Sequence, residues 1–151
     1  MAEKYQNKYR IPSARLRNWD YSSDAVYFIT ICTTNHHYFF GKIENGKMEF
    51  SEIGLLVQQE WLKSFEIRAE LFCDCYVIMP NHIHAILRIE NGIHVLDPPT
   101  NFGVAYRPPK SISSFVAGFK SVVTANAHKI NGRFGWQEWF YDHIIRDDPG
   151  Y

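Results

Sequence analysis

Within the run YVIMPNHIHAILRI, residues 76–89, two histidines stand one residue apart, His82 and His84, in an otherwise apolar segment. Imidazole is the commonest protein metal ligand, and two imidazoles one strand repeat apart can converge on a single ion, so this pair points to metal binding. On a strand, side chains alternate between faces, which puts His82, His84 and Arg88 on one side and Ile83, Ala85, Leu87 and Ile89 on the other. The apolar set reads as core and the histidines as an open face. The triplet alone is a short pattern, and an exposed sheet face also tolerates histidine. A histidine-triad nucleotide hydrolase needs a third histidine two residues on, where Ile86 stands. The usual zinc spacing also fails, because no His or Cys lies three to five residues from the pair on a helix. What remains is a two-histidine site that takes a further ligand from elsewhere.

The elements that position this pair are legible in outline. Residues 1–24 form a basic, polar arm (Lys4, Lys8, Arg10, Arg15, Arg17) ending in NWDYSSD, and read as irregular. VYFITICTT, 26–34, is dense in β-branched and aromatic residues and reads as a buried strand. YFFGKIENGKMEF follows, with Asn45-Gly46 between two short alternating runs, the signature of a hairpin. Ser51 and Glu52 open a helix whose stripe is Ile53, Leu56, Val57, Trp61 and Phe65, and which ends before Ala69. Two strands, 70–79 and 82–89, are joined at Pro80-Asn81. Residues 91–109 hold four prolines and two glycines and read as a long loop of the kind that carries function. A second helix over 111–130 has the stripe Ile112, Phe115, Val116, Phe119, Val122 and Val123, is stopped by Asn131-Gly132, and leads into a final strand, WQEWFYDHIIR. Setting the hairpin aside, the order is βαββαβ. The expectation is therefore an α+β, ferredoxin-like antiparallel sheet with two helices on one face, an added β-hairpin, and the strand bearing the histidines in its centre.

Composition narrows the function classes. A chain of 151 residues, 46% hydrophobic, builds one core, and its sixteen basic and sixteen acidic side chains cancel, so the overall charge implies no charged partner. With no apolar run long enough to span a bilayer and no secretory leader, the expectation is a cytoplasmic protein without a membrane partner. Cys32, Cys73 and Cys75 are an odd count without the spacing of a disulfide framework. Cys73 and Cys75 read either as core or as two ligands on one strand face.

Four blocks in order, WDYSSDAVYFITICTTN, VIMPNHIHAIL, FVAGFKSVVT and WQEWFYDHIIRDD, resemble the REP-associated tyrosine transposases. These are relatives of the insertion-sequence-200-like transposases within the HUH single-strand endonuclease superfamily. The resemblance runs from Trp19 to the last residue. It implies that His82 and His84 ligate Mg²⁺ or Mn²⁺, that the ion polarises a phosphodiester of single-stranded or hairpin DNA, and that a tyrosine attacks to give a 5′-phosphotyrosine link and a free 3′-OH. It also implies an attacking tyrosine and a third, amide ligand on a C-terminal helix whose spacing falls past Tyr151, so the 151 residues are expected to lack that helix. Tyr151 is the alternative nucleophile. A catalytically inactive hairpin-binding module derived from such a transposase is the alternative function, and a metal-binding sheet unrelated to DNA a third.

Further candidates carry two readings each. Lys110 and Lys120 read as phosphate contacts or as a solvated helix face. Arg88 and His143 read as lining the DNA side of the sheet, although a strand histidine without a matching partner, as His143 is, is more often structural. Tyr5 and Tyr9 suit unpaired bases, or belong to a tail. Trp136, Trp139 and Phe140 cannot all be core on an alternating strand, so one face exposes aromatics or meets a partner; the resemblance implies a homodimer partner or hairpin DNA packed close by.

Overall fold

The computed structural model describes residues 25–90 and 111–145, and the backbone of 4–5 and 8–9. Two short strands in the basic arm, β1 (Lys4–Tyr5) and β2 (Lys8–Tyr9), pair antiparallel, so the arm is not wholly irregular. The rest of the arm, the expected loop over 91–109, Lys110 and Tyr151 lie outside the described residues.

Strand β3 (Ala25–Cys32) turns Tyr27, Ile29 and Ile31 into the core and Phe28 out. The hairpin β4 (Gly41–Glu44) and β5 (Lys47–Phe50) turns through Asn45 at φ 54° and Gly46 at φ 76°. Two positive φ values in a two-residue turn match the right-handed twist of the flanking strands, the reason Asn-Gly is favoured there. Helix α1 (Glu52–Ile67) starts where the Ser51 hydroxyl accepts from the Gly54 amide at 3.0 Å. Gly54 is required at that point: a Cβ there would stand 2.0 Å from the Phe40 carbonyl oxygen.

Strands β6 (Leu71–Met79) and β7 (His82–Ile89) follow, then α2 (Ile112–Ala127), capped by Ser111 through the Ser114 amide at 3.1 Å, and β8 (Tyr141–Ile145). The four-stranded sheet has the order β6-β7-β3-β8 with every pairing antiparallel. This is the expected ferredoxin-like arrangement, with β7 central. The core lies between the sheet and the helices: Ile83, Ala85, Leu87 and Ile89 of β7 are buried, as are Ile53, Val57 and Trp61 of α1 and Phe115, Val116, Phe119 and Val123 of α2. Trp61 anchors it, with the rings of Phe65, Tyr76, Phe115 and Phe119 at 5.3–5.8 Å. Among the described residues, no helix is long and apolar enough to cross a membrane.

Three expectations are corrected. The second helix stops at Ala127, and residues up to Asn131 continue as turns on the Ala127 carbonyl. The final strand begins at Tyr141, because Trp139 holds a left-handed φ of 69° and breaks the extended run. Trp136 instead packs its ring against Phe40, Phe119 and Phe134 at 5.2–5.8 Å and donates its indole N–H to the Lys120 carbonyl. Phe140 also packs on the core, so the aromatic surface that suggested a partner reduces to Trp139. Finally, a bulge between Cys73 and Cys75 resets the alternation of β6. Cys73 lies opposite Leu87 on the core side and Cys75 opposite Ile86 on the open side, so the two thiols neither share a face nor are both core.

A candidate metal centre on the open face

Sheet register decides which side chains meet. Directly opposed residues in antiparallel strands point to the same side. Thr30 of β3 is opposite both His84 of β7 and Tyr141 of β8, and Phe28 is opposite Ile86 and His143. The face turned away from the helices therefore carries His82, His84, Ile86 and Arg88, flanked by Phe28, Thr30, Tyr141 and His143.

The two imidazoles sit as the alternation requires, with ring centroids 4.5 Å apart and planes at 71°. Each is held at Nδ1. His82 Nδ1 lies 2.7 Å from Asn81 Oδ1, and His84 Nδ1 and the Thr30 hydroxyl are hydrogen-bonded at 2.9 Å. Phe28 stacks on His84 at 5.4 Å. Both Nε2 atoms are left without a hydrogen-bond partner among the described residues.

That arrangement fits a divalent ion. With metal–nitrogen bonds of about 2.1 Å and a ring radius of about 1.2 Å, two imidazoles at a right angle on one ion have centroids about 4.7 Å apart. Occupied Nδ1 atoms are the usual outer support of Nε2 ligands. Burial, then His84 and His36, push the His82 pKa below the ordinary imidazole value, so proton competition for its ring is weakened. Among the described residues no group of three or more His, Cys, Asp or Glu gathers to hold a metal, so the sheet supplies a pair and not a full cage.

No family model matches the chain. The chain is 37% identical over 145 residues to an uncharacterised protein of Haemophilus influenzae, covering 92% of this chain and 81% of that protein. Its structure is similar to that of a REP-associated tyrosine transposase bound to a REP hairpin, with a TM-score of 0.58 at 18% identity. This chain and the Haemophilus influenzae protein form one family, and the fold is that of the tyrosine transposases. The likeness to the transposase covers 89% of this chain and 63% of that one, so the chain spans under two thirds of its length. A candidate transposase of Deinococcus radiodurans R1 is also similar, with a TM-score of 0.52 at 12% identity over 88% of this chain and 86% of that one. The resemblance drawn from the four sequence blocks is borne out.

Other candidate residues fare differently within the transposase fold. Arg88 shares the histidine face but is engaged by Asp74 at 2.9 Å and by Glu90, and lies over the Phe72 ring at 5.0 Å. Two carboxylates around one guanidinium leave that corner of the sheet acidic, a poor place for a phosphate. Lys120 is no free cation on a solvated helix face. Its ammonium donates to the carbonyls of Gln137 at 2.9 Å and Trp139 at 2.6 Å, and burial lowers its pKa against the opposing pull of Cys32. It clamps the segment before β8 and fixes the left-handed Trp139, a residue that is 79% exposed. His143 is exposed on the histidine face. Lys110 and Tyr151 lie outside the described residues.

The sequence reading missed Thr30, Asn81 and Phe28. Asn81 carried a signal, an amide immediately before the pair at a turn. Thr30 and Phe28 depend on a register between segments more than fifty residues apart.

Proposed function

We propose that this chain is a DNA-acting domain of the tyrosine-transposase type, in which His82 and His84 hold Mn²⁺ or Mg²⁺ beside a phosphodiester of single-stranded or hairpin DNA. The observation that carries the reading is the pair of imidazoles on the open face of a transposase fold, with ring centroids 4.5 Å apart, Nδ1 atoms engaged and Nε2 atoms without a hydrogen-bond partner among the described residues. Imidazole donors suit Mn²⁺ better than Mg²⁺, which prefers oxygen. When bound, the ion supplies Lewis-acid polarisation of a phosphate oxygen.

The protein's own groups supply position. Thr30, Asn81 and the Phe28 ring hold the imidazoles, and the exposed Trp139 and Tyr141, just before and at the start of β8, offer ring faces on which unpaired bases can stack. In the reaction a tyrosine oxygen bonds to phosphorus, the bond from phosphorus to the 3′ oxygen breaks, and that oxygen leaves as a 3′-OH on taking a proton. Tyr151 is one candidate for the attacking group. Among the described residues, Tyr141 stands on the histidine face of the sheet, two strands from His84, and is another candidate.

End-labelled hairpin oligonucleotides on native and denaturing gels test this. Binding that weakens with rising salt is expected, and any covalent adduct should require Mn²⁺ or Mg²⁺ and both histidines. Loss of an adduct in Tyr151→Phe or in Tyr141→Phe identifies the nucleophile. Hairpin binding with no adduct supports the non-cleaving module. Absence of binding to single-stranded and hairpin DNA, with metal present, overturns the proposal.

A further inference from the structure

Asn81, the residue before His82, is tied down through its carbonyl and through both ends of its side chain. The carbonyl accepts from the Thr33 amide at 2.9 Å and the Thr33 hydroxyl at 3.1 Å, and Thr33 is fully buried. The Phe40 amide donates to the preceding carbonyl, of Pro80, at 3.0 Å. The side-chain Nδ2 donates to the His36 carbonyl at 3.2 Å, and Oδ1 faces His82 Nδ1 at 2.7 Å. Asn35 and His36 both hold left-handed conformations, with φ values of 50° and 55°. Such conformations are unfavourable outside glycine and persist where the surroundings hold them; the bond from Asn81 Nδ2 to the His36 carbonyl is one such hold.

The two ends of a carboxamide are nearly alike in shape, but only the nitrogen donates. Because the His36 carbonyl can only accept, the end of Asn81 that meets it is the NH₂. The other end, facing His82, is then the oxygen, which can only accept. His82 Nδ1 must therefore carry the proton, and in the neutral ring Nε2 carries the lone pair.

We infer that Asn81 is a positioning residue that fixes His82 in the Nδ1–H tautomer and so presents its Nε2 as a ligand, with the left-handed Asn35-His36 loop as the anchor that decides which way the amide points. The role in metal binding rests on the proposed function; the tautomer does not. His84 has no equivalent restriction, because the Thr30 hydroxyl can donate or accept. The two ligands thus differ: His82 is pre-set, while His84 selects its tautomer when an ion arrives.

Imidazole ¹⁵N NMR of the metal-free protein tests the tautomer at about pH 8, above the ordinary imidazole pKa of about 6.5. In the unaltered protein His82 is expected to show a protonated Nδ1 and an unprotonated Nε2. Asn81→Ala should release the ring toward the Nε2–H form and weaken Mn²⁺ binding, read by calorimetry, roughly 10- to 100-fold. Asn81→Asp keeps an acceptor toward His82 while losing the donor to His36, so it should restore the Nδ1–H signature that the alanine loses. General damage to the turn would move both variants alike in thermal melts and would not produce that rescue. A protonated Nε2 in the unaltered protein, or an unchanged tautomer in Asn81→Ala, overturns the inference. Mn²⁺ binding that proves independent of His82 overturns the metal reading instead, and leaves the tautomer result to decide the role of Asn81.

Discussion

Replacing Leu87 and, separately, His84 by alanine tests the facing of β7, on which the site depends. Leu87 is fully buried under the helices, opposite Tyr27 on one side and Cys73 on the other. Removing three carbons costs about 0.8 kcal/mol each, or about 2.4 kcal/mol in lost transfer energy. The sheet ladders on both sides limit collapse into the gap, so a residual cavity adds roughly 1 to 2 kcal/mol. For a domain of this length, at about 2 to 4 °C per kcal/mol, the melting temperature should fall by about 7 to 18 °C. His84→Ala removes one hydrogen bond to Thr30, worth about 1 kcal/mol net, and the contact with Phe28. Because both partners lie on the open face and regain water, its cost should stay below about 1.5 kcal/mol. Thermal and urea melts of the two variants measure the difference. If His84→Ala proves the more damaging, the strand is turned by one residue from the arrangement described, and every side chain on it changes face.

Calorimetry should show Mn²⁺ binding that is lost in both His82→Ala and His84→Ala; unchanged binding in either removes the ion from the pair. His82 also gives stability a pH dependence. Its folded pKa is lowered, so the folded state binds fewer protons than the unfolded one, and its contribution is complete above about pH 6.5 and declines as pH falls below that. Melts between about pH 7 and pH 5 should show a shallower decline in His82→Gln than in the unaltered protein, and an equal or steeper one refutes the assignment. Lys120→Met should cost about 1 to 3 kcal/mol in urea melts by freeing the carbonyls of Gln137 and Trp139. Unchanged stability together with a DNA-binding salt dependence reduced by about one unit would return Lys120 to the role of phosphate contact. Trp139→Ala should weaken binding of unstructured single strands by about 1 to 3 kcal/mol while leaving Mn²⁺ affinity alone, read by fluorescence titration and calorimetry.

Local chemistry made much of this molecule legible in its sequence. Asn45-Gly46 announces its turn because few other pairs tolerate two positive φ values, Ser51 announces a helix start, and strict alternation from His82 to Ile89 fixes which side of β7 is core. The unread features come from contacts between distant segments. Nothing near Trp139 reveals that a lysine nineteen residues earlier will take its carbonyl and end the extended run. Nothing in FCDCY shows that the chain will bulge there and part the two cysteines, since an uninterrupted strand pattern fits those letters equally well. Arg88 looks like a free cation until the bulge brings Asp74 alongside it. In the candidate site, the histidine pair was legible and its supports largely were not, because Thr30 reaches His84 only through the pairing of β3 with β7.

Because β7 is laddered along its length to β6 on one side and β3 on the other, its amides have few routes to solvent short of opening the whole sheet. Hydrogen exchange at 82–89 should therefore follow global unfolding, the slowest class in a domain. The histidine pair would then keep its spacing for as long as the domain is folded, with or without an ion, and would have little local breathing through which to trade affinity for speed. On the proposed function, any motion that admits a strand of DNA or brings up a tyrosine would have to come from parts of the protein outside this central ladder. The sheet would then act as a fixed anvil, and the timing of the proposed chemistry would belong to whatever moves against it.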